Sequence, residues 1–171
     1  MTTLTDLNSL DRGAFTATLG HLFEHSPWVA EETWPLRPFL SVAQLHGALC
    51  ATMRGAARER QLALVRAHPD LAGRLAQQNQ LTAESTREQA SAGLNHLTTA
   101  ELAGFQKLNA AYVEGFGFPF IICARLSNKS AILAAMQTRI THAAEVEFAT
   151  ALGEIEKIAR LRLNDLLQSV S

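Results

Sequence analysis

A helical run that ends at a proline constrains this chain more than any other feature. Residues 61–67 (QLALVRA) place apolar side chains at helical spacing, but Pro69 has no N–H and clashes with the preceding turn. The residue before a proline is displaced toward extended backbone. We therefore expect His68 to be held at the end of a buried helix by a stiff break. Asp70 is then a candidate N-cap for a short helix over residues 71–77.

A second helix boundary is predicted at residues 85–89 (STREQ). Ser85 and Glu88 have the spacing of a capping box, in which the serine and the glutamate satisfy each other's backbone amides. The spacing alone favours that structural role for Glu88, although a capping carboxylate can also serve chemistry. His68 can bind helix-terminal carbonyls, or it can act as an acid or base because the ordinary imidazole pKa is about 6.5.

The rest of the chain predicts an all-α fold of about eight helices in one domain over residues 1–171. Ala and Leu dominate, and the alternation of Val, Ile and Thr that is typical of strands is almost absent. Capping signals stand at Ser41, at Thr98 with Glu101, and at Ser127 or Asn128. The approximate helices are 9 or 11 to 24, 27–34, 42–54, 56–67, 71–77, 85–95, 99–117, 131–141 and 142–168.

One apolar segment does not read as helix. Residues 118–124 (FPFIICA) contain a proline and two isoleucines and follow Gly115 and Gly117. We expect an extended, buried segment without a regular ladder, whose backbone N–H and C=O groups must find partners. A ligand is one candidate partner, and other loops of the core are the alternative.

Composition and charge argue against several classes of protein. Fifteen Lys and Arg against sixteen Asp and Glu give a net charge of −1, which argues against binding to nucleic acid or to an anionic membrane surface. No apolar run approaches the roughly 20 residues of a membrane span, and no signal peptide is recognisable. Cys50 and Cys123 lack the spacing of a metal or redox motif and fit a cytoplasmic protein. His21 and His25 lie four residues apart, but no third ligand nearby completes a metal site.

Four sequence blocks together resemble one family. They read AHPDLAGRLA, LTAESTREQASAGLNHLT, LNAAYVEGFGFPFIICARL and EIEKIARLRLNDLL, in this order. They resemble the 2-oxo-4-hydroxy-4-carboxy-5-ureidoimidazoline (OHCU) decarboxylases of purine catabolism, from about Leu7 to Leu167. The resemblance implies a homodimeric, all-helical enzyme without cofactor or metal. Such an enzyme converts the urate-derived OHCU to (S)-allantoin and carbon dioxide.

The same resemblance implies roles for particular residues. His68 is similar to the family's catalytic acid or base, and Glu88 is similar to its catalytic carboxylate. The resemblance also implies backbone contacts to substrate along residues 120–124. The residues implied to bind substrate are Pro69, Ser85, Glu88, Gln89, Phe120, Ile121, Ile122, Cys123, Ala124 and Arg162.

The chemistry of OHCU fits these residues. Its carboxylate lies beside a C=N bond, so the ring itself can accept the electrons that remain when carbon dioxide leaves. His68 can move the proton, and a fixed Glu88 anion can disfavour the ground-state carboxylate. Two alternatives stay open: a non-catalytic helical module that binds a partner through its last helix, and a lyase that acts on another small ureido acid.

Overall fold

The computed structural model describes residues 2–73, 76, 78 and 80–168, and this part of the chain contains helices and no β-strand. The predicted all-α class is confirmed. None of these helices is long and apolar enough to cross a membrane. The α-helices within the described residues are α1 (Leu4–Ser9), α2 (Arg12–Leu19), α3 (Trp28–Thr33), α4 (Val42–Gly55), α5 (Arg58–Ala67), α6 (Ala83–Ser91), α7 (Thr99–Phe116), α8 (Lys129–Arg139) and α9 (Ala144–Gln168).

The chain groups into two compact units. The first unit contains the residues up to Ala67 and those from Glu156 onward, and the second runs from His68 to Ile155. Helix α9 therefore contributes residues to both units. His68, which follows the last residue of α5, is the first residue of the second unit.

The first unit begins with a short helix before the predicted one, and the predicted helix is itself shorter than expected. Thr3 and Asp6 form a capping box that starts α1, and this helix was not predicted. Asp11 then caps α2 by accepting a hydrogen bond from the Ala14 N–H at 2.8 Å. The backbone at Leu10 is extended, so the two helices cannot join. Helix α2 ends at Leu19 and is followed by the 3-10 turn Gly20–Leu22, so it is shorter than the helix that the sequence predicted up to residue 24.

Apolar packing stabilises the first unit. Helix α3 packs against α2 and α4. Removing each large aliphatic or aromatic side chain from water contributes about 1.5–3 kcal/mol before the entropic cost of ordering it. The fully buried side chains of the first unit include Leu7, Phe15, Leu19, Leu22, Val29, Leu45, Leu49 and Met53.

The second unit follows the predicted boundaries more closely. Thr98 and Glu101 form the predicted capping box at the start of α7. Gly117 ends that helix with a φ of 74°, in the left-handed region where glycine has no Cβ penalty. Asn128 caps α8 by accepting from the Ala131 N–H at 3.0 Å. The chain between Gly117 and Ala124 is not helical, as predicted.

Candidate active site

The loop after α5 has the geometry that Pro69 predicts. Helix α5 ends at Ala67, and His68 is buried with 8% of its surface exposed. Leu71 and Ala72 form a turn, and Ala72 has a φ of 51°, in the left-handed region. This turn stands where the sequence predicted the start of a short helix over residues 71–77. Residues 74, 75 and 77 of that prediction lie outside the described residues.

Two further features fix the shape of this turn. The Gly73 N–H donates to the Asp70 carbonyl at 3.3 Å. A Cβ at Gly73 would collide with the Cβ of Asp70, so only glycine fits there. Burial raises the pKa of the Asp70 carboxyl above its usual value. The backbone that follows His68 is therefore a compact turn in a partly dry environment.

Helix α6 begins earlier than the sequence predicted. Its first residue is Ala83, and its N-cap is Thr82, whose Oγ1 accepts from the Ser85 N–H at 3.2 Å. The predicted capping box of Ser85 and Glu88 is therefore wrong. Ser85 occupies the third helical position, and Glu88 lies inside the helix rather than at its boundary. A capping role no longer accounts for the Glu88 carboxylate.

One face of α6 carries the three residues that the family resemblance singled out. Ser85, Glu88 and Gln89 lie at positions i, i+3 and i+4, which share a helix face. Ser85 and Gln89 are buried and Glu88 is half-buried, whereas Thr86 and Arg87 are exposed. The three residues implied to bind substrate are therefore less exposed than the two residues between them.

Gln89 connects this helix face to the loop that follows His68. Its Oε1 accepts from the Ala72 N–H at 2.9 Å, and its Nε2 donates to the Asp70 carbonyl at 3.4 Å. The side chain implied to bind substrate is therefore also bonded to the protein backbone. These bonds hold the helix with Glu88 and the turn after His68 against each other.

Residues 118–124 form the predicted extended segment, and two of its backbone groups bind side chains of neighbouring helices. The Ile121 carbonyl accepts from Arg139 Nη1 at 2.9 Å, and the Cys123 N–H donates to Glu154 Oε2 at 2.8 Å. Phe120, Ile121, Cys123 and Ala124 are buried, and Ile122 is half-buried. These two groups have protein partners, but the partners are side chains of α8 and α9 and not the core loops that the alternative expected.

The extended segment lies close to α6. The 3-10 turn Ala124–Leu126, which ends the segment, packs against this helix. The pKa of the Cys123 thiol is raised, first by burial and then by the negative charges of Glu154 and Glu88. The second unit therefore brings together the turn after His68, the Glu88 face of α6 and the 120–124 backbone.

Arg162 belongs to the first unit, where it is buried and ion-paired. Its Nη1 donates to Glu24 Oε2 at 3.0 Å and to the His21 carbonyl at 3.1 Å. Glu24 is buried as well. The two charges stabilise each other in the interior, because a buried charge without its partner would be costly.

Pro69 is half-buried beside His68.

Comparison with known proteins gives the family. The OHCU decarboxylase family model matches residues 8–164. The chain belongs to the OHCU decarboxylase family. An OHCU decarboxylase from Haloferax volcanii is 45% identical over 167 residues, which are 98% of this chain and 97% of that protein. The resemblance that the four sequence blocks indicated is confirmed.

Solved structures agree in fold. The chain is similar to a crystal structure of (S)-allantoin synthase, with a TM-score of 0.80 and 33% identity, over 98% of this chain. It spans about half of that structure, 54% of its length. A structure of an OHCU decarboxylase in the presence of (S)-allantoin gives a TM-score of 0.70 at 21% identity and shows likeness of fold alone.

The sequence analysis did not predict a buried polar cluster that contacts the extended segment of this OHCU decarboxylase family member. Arg139 Nε donates to Glu147 Oε1 at 2.9 Å, and the Arg139 guanidinium stands 4.2 Å from the centre of the Phe120 ring. Tyr112 donates to the same carboxylate, and its pKa is raised by burial and then by Glu147. His142 Nδ1 lies 3.0 Å from Glu147 Oε2.

No sequence signal could have paired Arg139 with Glu147, because they lie on different helices without a motif spacing. The cluster fixes the Ile121 carbonyl and the Phe120 ring, and so the course of the segment beside α6. Elsewhere, no group of three His, Cys, Asp or Glu side chains among the described residues is arranged to hold a metal ion.

Proposed function

We propose that this protein decarboxylates OHCU to (S)-allantoin and carbon dioxide in urate degradation. The observation that carries the proposal is the meeting of the turn after His68 with the Ser85, Glu88 and Gln89 face of α6, through the two Gln89 hydrogen bonds. The names of two relatives support the substrate and the product. The Haloferax protein is named an OHCU decarboxylase, and the structure at 33% identity is named an (S)-allantoin synthase.

The reaction proceeds with the substrate's own electron sink. When the C–C bond to the carboxylate breaks, its electron pair forms a double bond to the neighbouring ring carbon, the C=N electrons move to the ring nitrogen, which takes up a proton, and carbon dioxide leaves. The hydroxyl on the reacting carbon becomes the ring carbonyl as it loses its proton. A proton is then added to the neighbouring carbon, which bears the ureido group. The face that receives this proton sets the (S) configuration.

His68 and Glu88 divide this work. His68 moves the proton, since an imidazole can give and take protons near neutral pH. Glu88 supplies a fixed negative charge close to the departing carboxylate, which disfavours the substrate relative to the form that has lost carbon dioxide. Glu88 lies inside α6, away from the N-terminal amides of the helix, so its carboxylate is not the cap of that helix.

The other proposed contacts bind and orient OHCU. Ser85 and Gln89 offer a hydroxyl and an amide on the same face of α6 as Glu88. The Cys123 amide is bonded to Glu154, so a substrate oxygen there would share or displace that carboxylate. Arg162 is proposed on the family resemblance alone. The remaining proposed contacts are Pro69, Phe120, Ile121, Ile122 and Ala124.

A homodimer and a cytoplasmic location are also part of the proposal. The homodimer rests on the family resemblance, and the cytoplasmic location rests on that resemblance and on Cys50 and Cys123, which are free and buried. The alternative of a non-catalytic interaction module has lost most of its support. Phe148, Leu152, Ile155, Ile158 and Leu163 of the apolar stripe of α9 are buried, whereas Val146 is exposed.

The function is tested with freshly prepared OHCU, made from urate by the preceding enzymatic steps. We expect the protein to accelerate the loss of OHCU and to yield optically active (S)-allantoin, followed by circular dichroism. Uncatalysed decay has no chiral control, so the dichroism signal separates catalysis from background. Racemic allantoin formed at the background rate would overturn the proposal.

The activity should not depend on a metal ion. The carbon that loses carbon dioxide already has a neighbouring electron acceptor, so a Lewis acid has no required task. We expect full turnover in the same dichroism assay after exhaustive chelation and dialysis. Loss of turnover that added zinc or magnesium restores would show that the mechanism above is wrong.

A further inference from the structure

We propose that Asn109, on α7, is a positioning residue that sets the place of His68 by holding the turn after it. This inference rests on the proposed function for the role of His68. Asn109 is not among the residues that the family resemblance implied. It acts through the backbone of Leu71, three residues after His68, and touches no reacting atom in this mechanism.

The turn is held by side-chain amides from two helices. Asn109 Nδ2 donates to the Leu71 carbonyl at 2.9 Å, and both residues are buried. Gln89, from α6, holds the residues on either side, the Asp70 carbonyl and the Ala72 N–H. Three consecutive residues of the turn are thus fixed by two buried amides.

The turn needs such support because its backbone is strained and irregular. Ala72 has a φ of 51°, a conformation that costs residues with a Cβ free energy and persists only when the surroundings enforce it. Pro69 removes one backbone donor at the start of the turn. If the Leu71 carbonyl lost its partner, the turn could relax, and His68 would move with it.

Packing alone does not account for an asparagine at this position. The side chain is 6% exposed, and its Oδ1 has no hydrogen-bond partner among the described residues. A buried unsatisfied acceptor is destabilising, and an apolar side chain of similar size would avoid that cost. The Nδ2 bond to Leu71 is therefore the feature that explains the asparagine.

The test compares Asn109→Leu with a matched control, Asn8→Leu. Asn8 makes an equivalent amide clamp in the first unit, with Nδ2 2.9 Å from the Phe39 carbonyl and Oδ1 2.8 Å from the Phe39 N–H. Phe39 has no proposed part in the reaction. Each variant is measured for its melting temperature, for kcat and KM with OHCU, and for the His68 ring signals in NMR spectra.

We expect Asn109→Leu to lower kcat about tenfold or more, since small displacements of a reacting group can cost up to about 10²-fold. KM should stay within about threefold, because uniform substrate binding is not removed. The His68 ring signals should shift. Asn8→Leu should lower the melting temperature but leave kcat and the His68 signals unchanged.

Three results obtained with folded proteins would overturn the proposal. They are a near-native kcat in folded Asn109→Leu, unmoved His68 signals, or a fall in kcat that Asn8→Leu reproduces. If Asn109→Leu does not fold, Asn109→Asp keeps the shape but replaces the donor with an acceptor. Unfolding of both would assign Asn109 to stability alone. If the wild type does not turn over OHCU, the proposed function fails, while the NMR comparison still decides whether Asn109 positions His68.

Discussion

His68→Asn is expected to fold as the wild type does and to lose about 10²–10⁴-fold in turnover, the usual contribution of a general acid or base. Asparagine has a similar size, and α5 already ends before this position because of Pro69. The amide has no group that gives and takes a proton near neutral pH. The kcat measured from the formation of (S)-allantoin, together with a thermal melt, checks the expectation.

His96→Asn is the matched control for this substitution. His96 also lies in the second unit, but it is exposed, and its backbone carbonyl accepts a hydrogen bond from Lys129 Nζ. We expect wild-type turnover for this variant. If His68→Asn also kept a near-native kcat, His68 would have no part in proton transfer, and Glu88 would have to perform it.

The boundary at His68 could be predicted from sequence because its cause is local. A proline cannot continue a helix, and this holds whatever surrounds it. The same is true of the capping box at Thr98 and Glu101 and of the glycine that ends α7. The extended course of residues 118–124 followed from a proline and two preceding glycines. Such features are decided within a few residues of the chain.

The start of α6 could not be decided in that way. Thr82 and Ser85 are both good N-caps, three residues apart, and the box with Glu88 made Ser85 the stronger local candidate. The structure begins the helix at Ala83, and Ser85 and Gln89 are then buried, with Gln89 bonded to the turn after His68. Tertiary contacts selected between two locally acceptable boundaries.

Polar pairs between residues far apart in the sequence could not be predicted from the sequence pattern. Arg162 and Glu24 form a buried ion pair across 138 positions of sequence. Asn109 binds the Leu71 carbonyl across 38 positions. Arg162 and Asn109 lie in helices whose periodicity gives no partner for them, and Glu24 lies in a turn. The family resemblance supplied a role for Arg162, but only the structure supplied Glu24 and Asn109.

The observed start of α6 decides which effect on stability and turnover we expect from Glu88→Gln. If Glu88 completed a capping box, glutamine would serve nearly as well, and neither stability nor rate would change much. Because Thr82 is the cap, that explanation no longer applies. We expect Glu88→Gln to keep the wild-type melting temperature and to lower turnover about 10²-fold or more, the scale of losing one preorganised electrostatic group.

Thr82→Ala is the control that separates charge from helix stability. It removes the cap that the structure does show and should cost about 1 kcal/mol of stability, while the carboxylate of Glu88 stays in place. Its kcat should therefore stay close to that of the wild type below its melting temperature. Melts and (S)-allantoin assays on the same preparations give both quantities. Unchanged turnover in Glu88→Gln would remove its charge from the mechanism and leave decarboxylation to His68 and the 120–124 backbone.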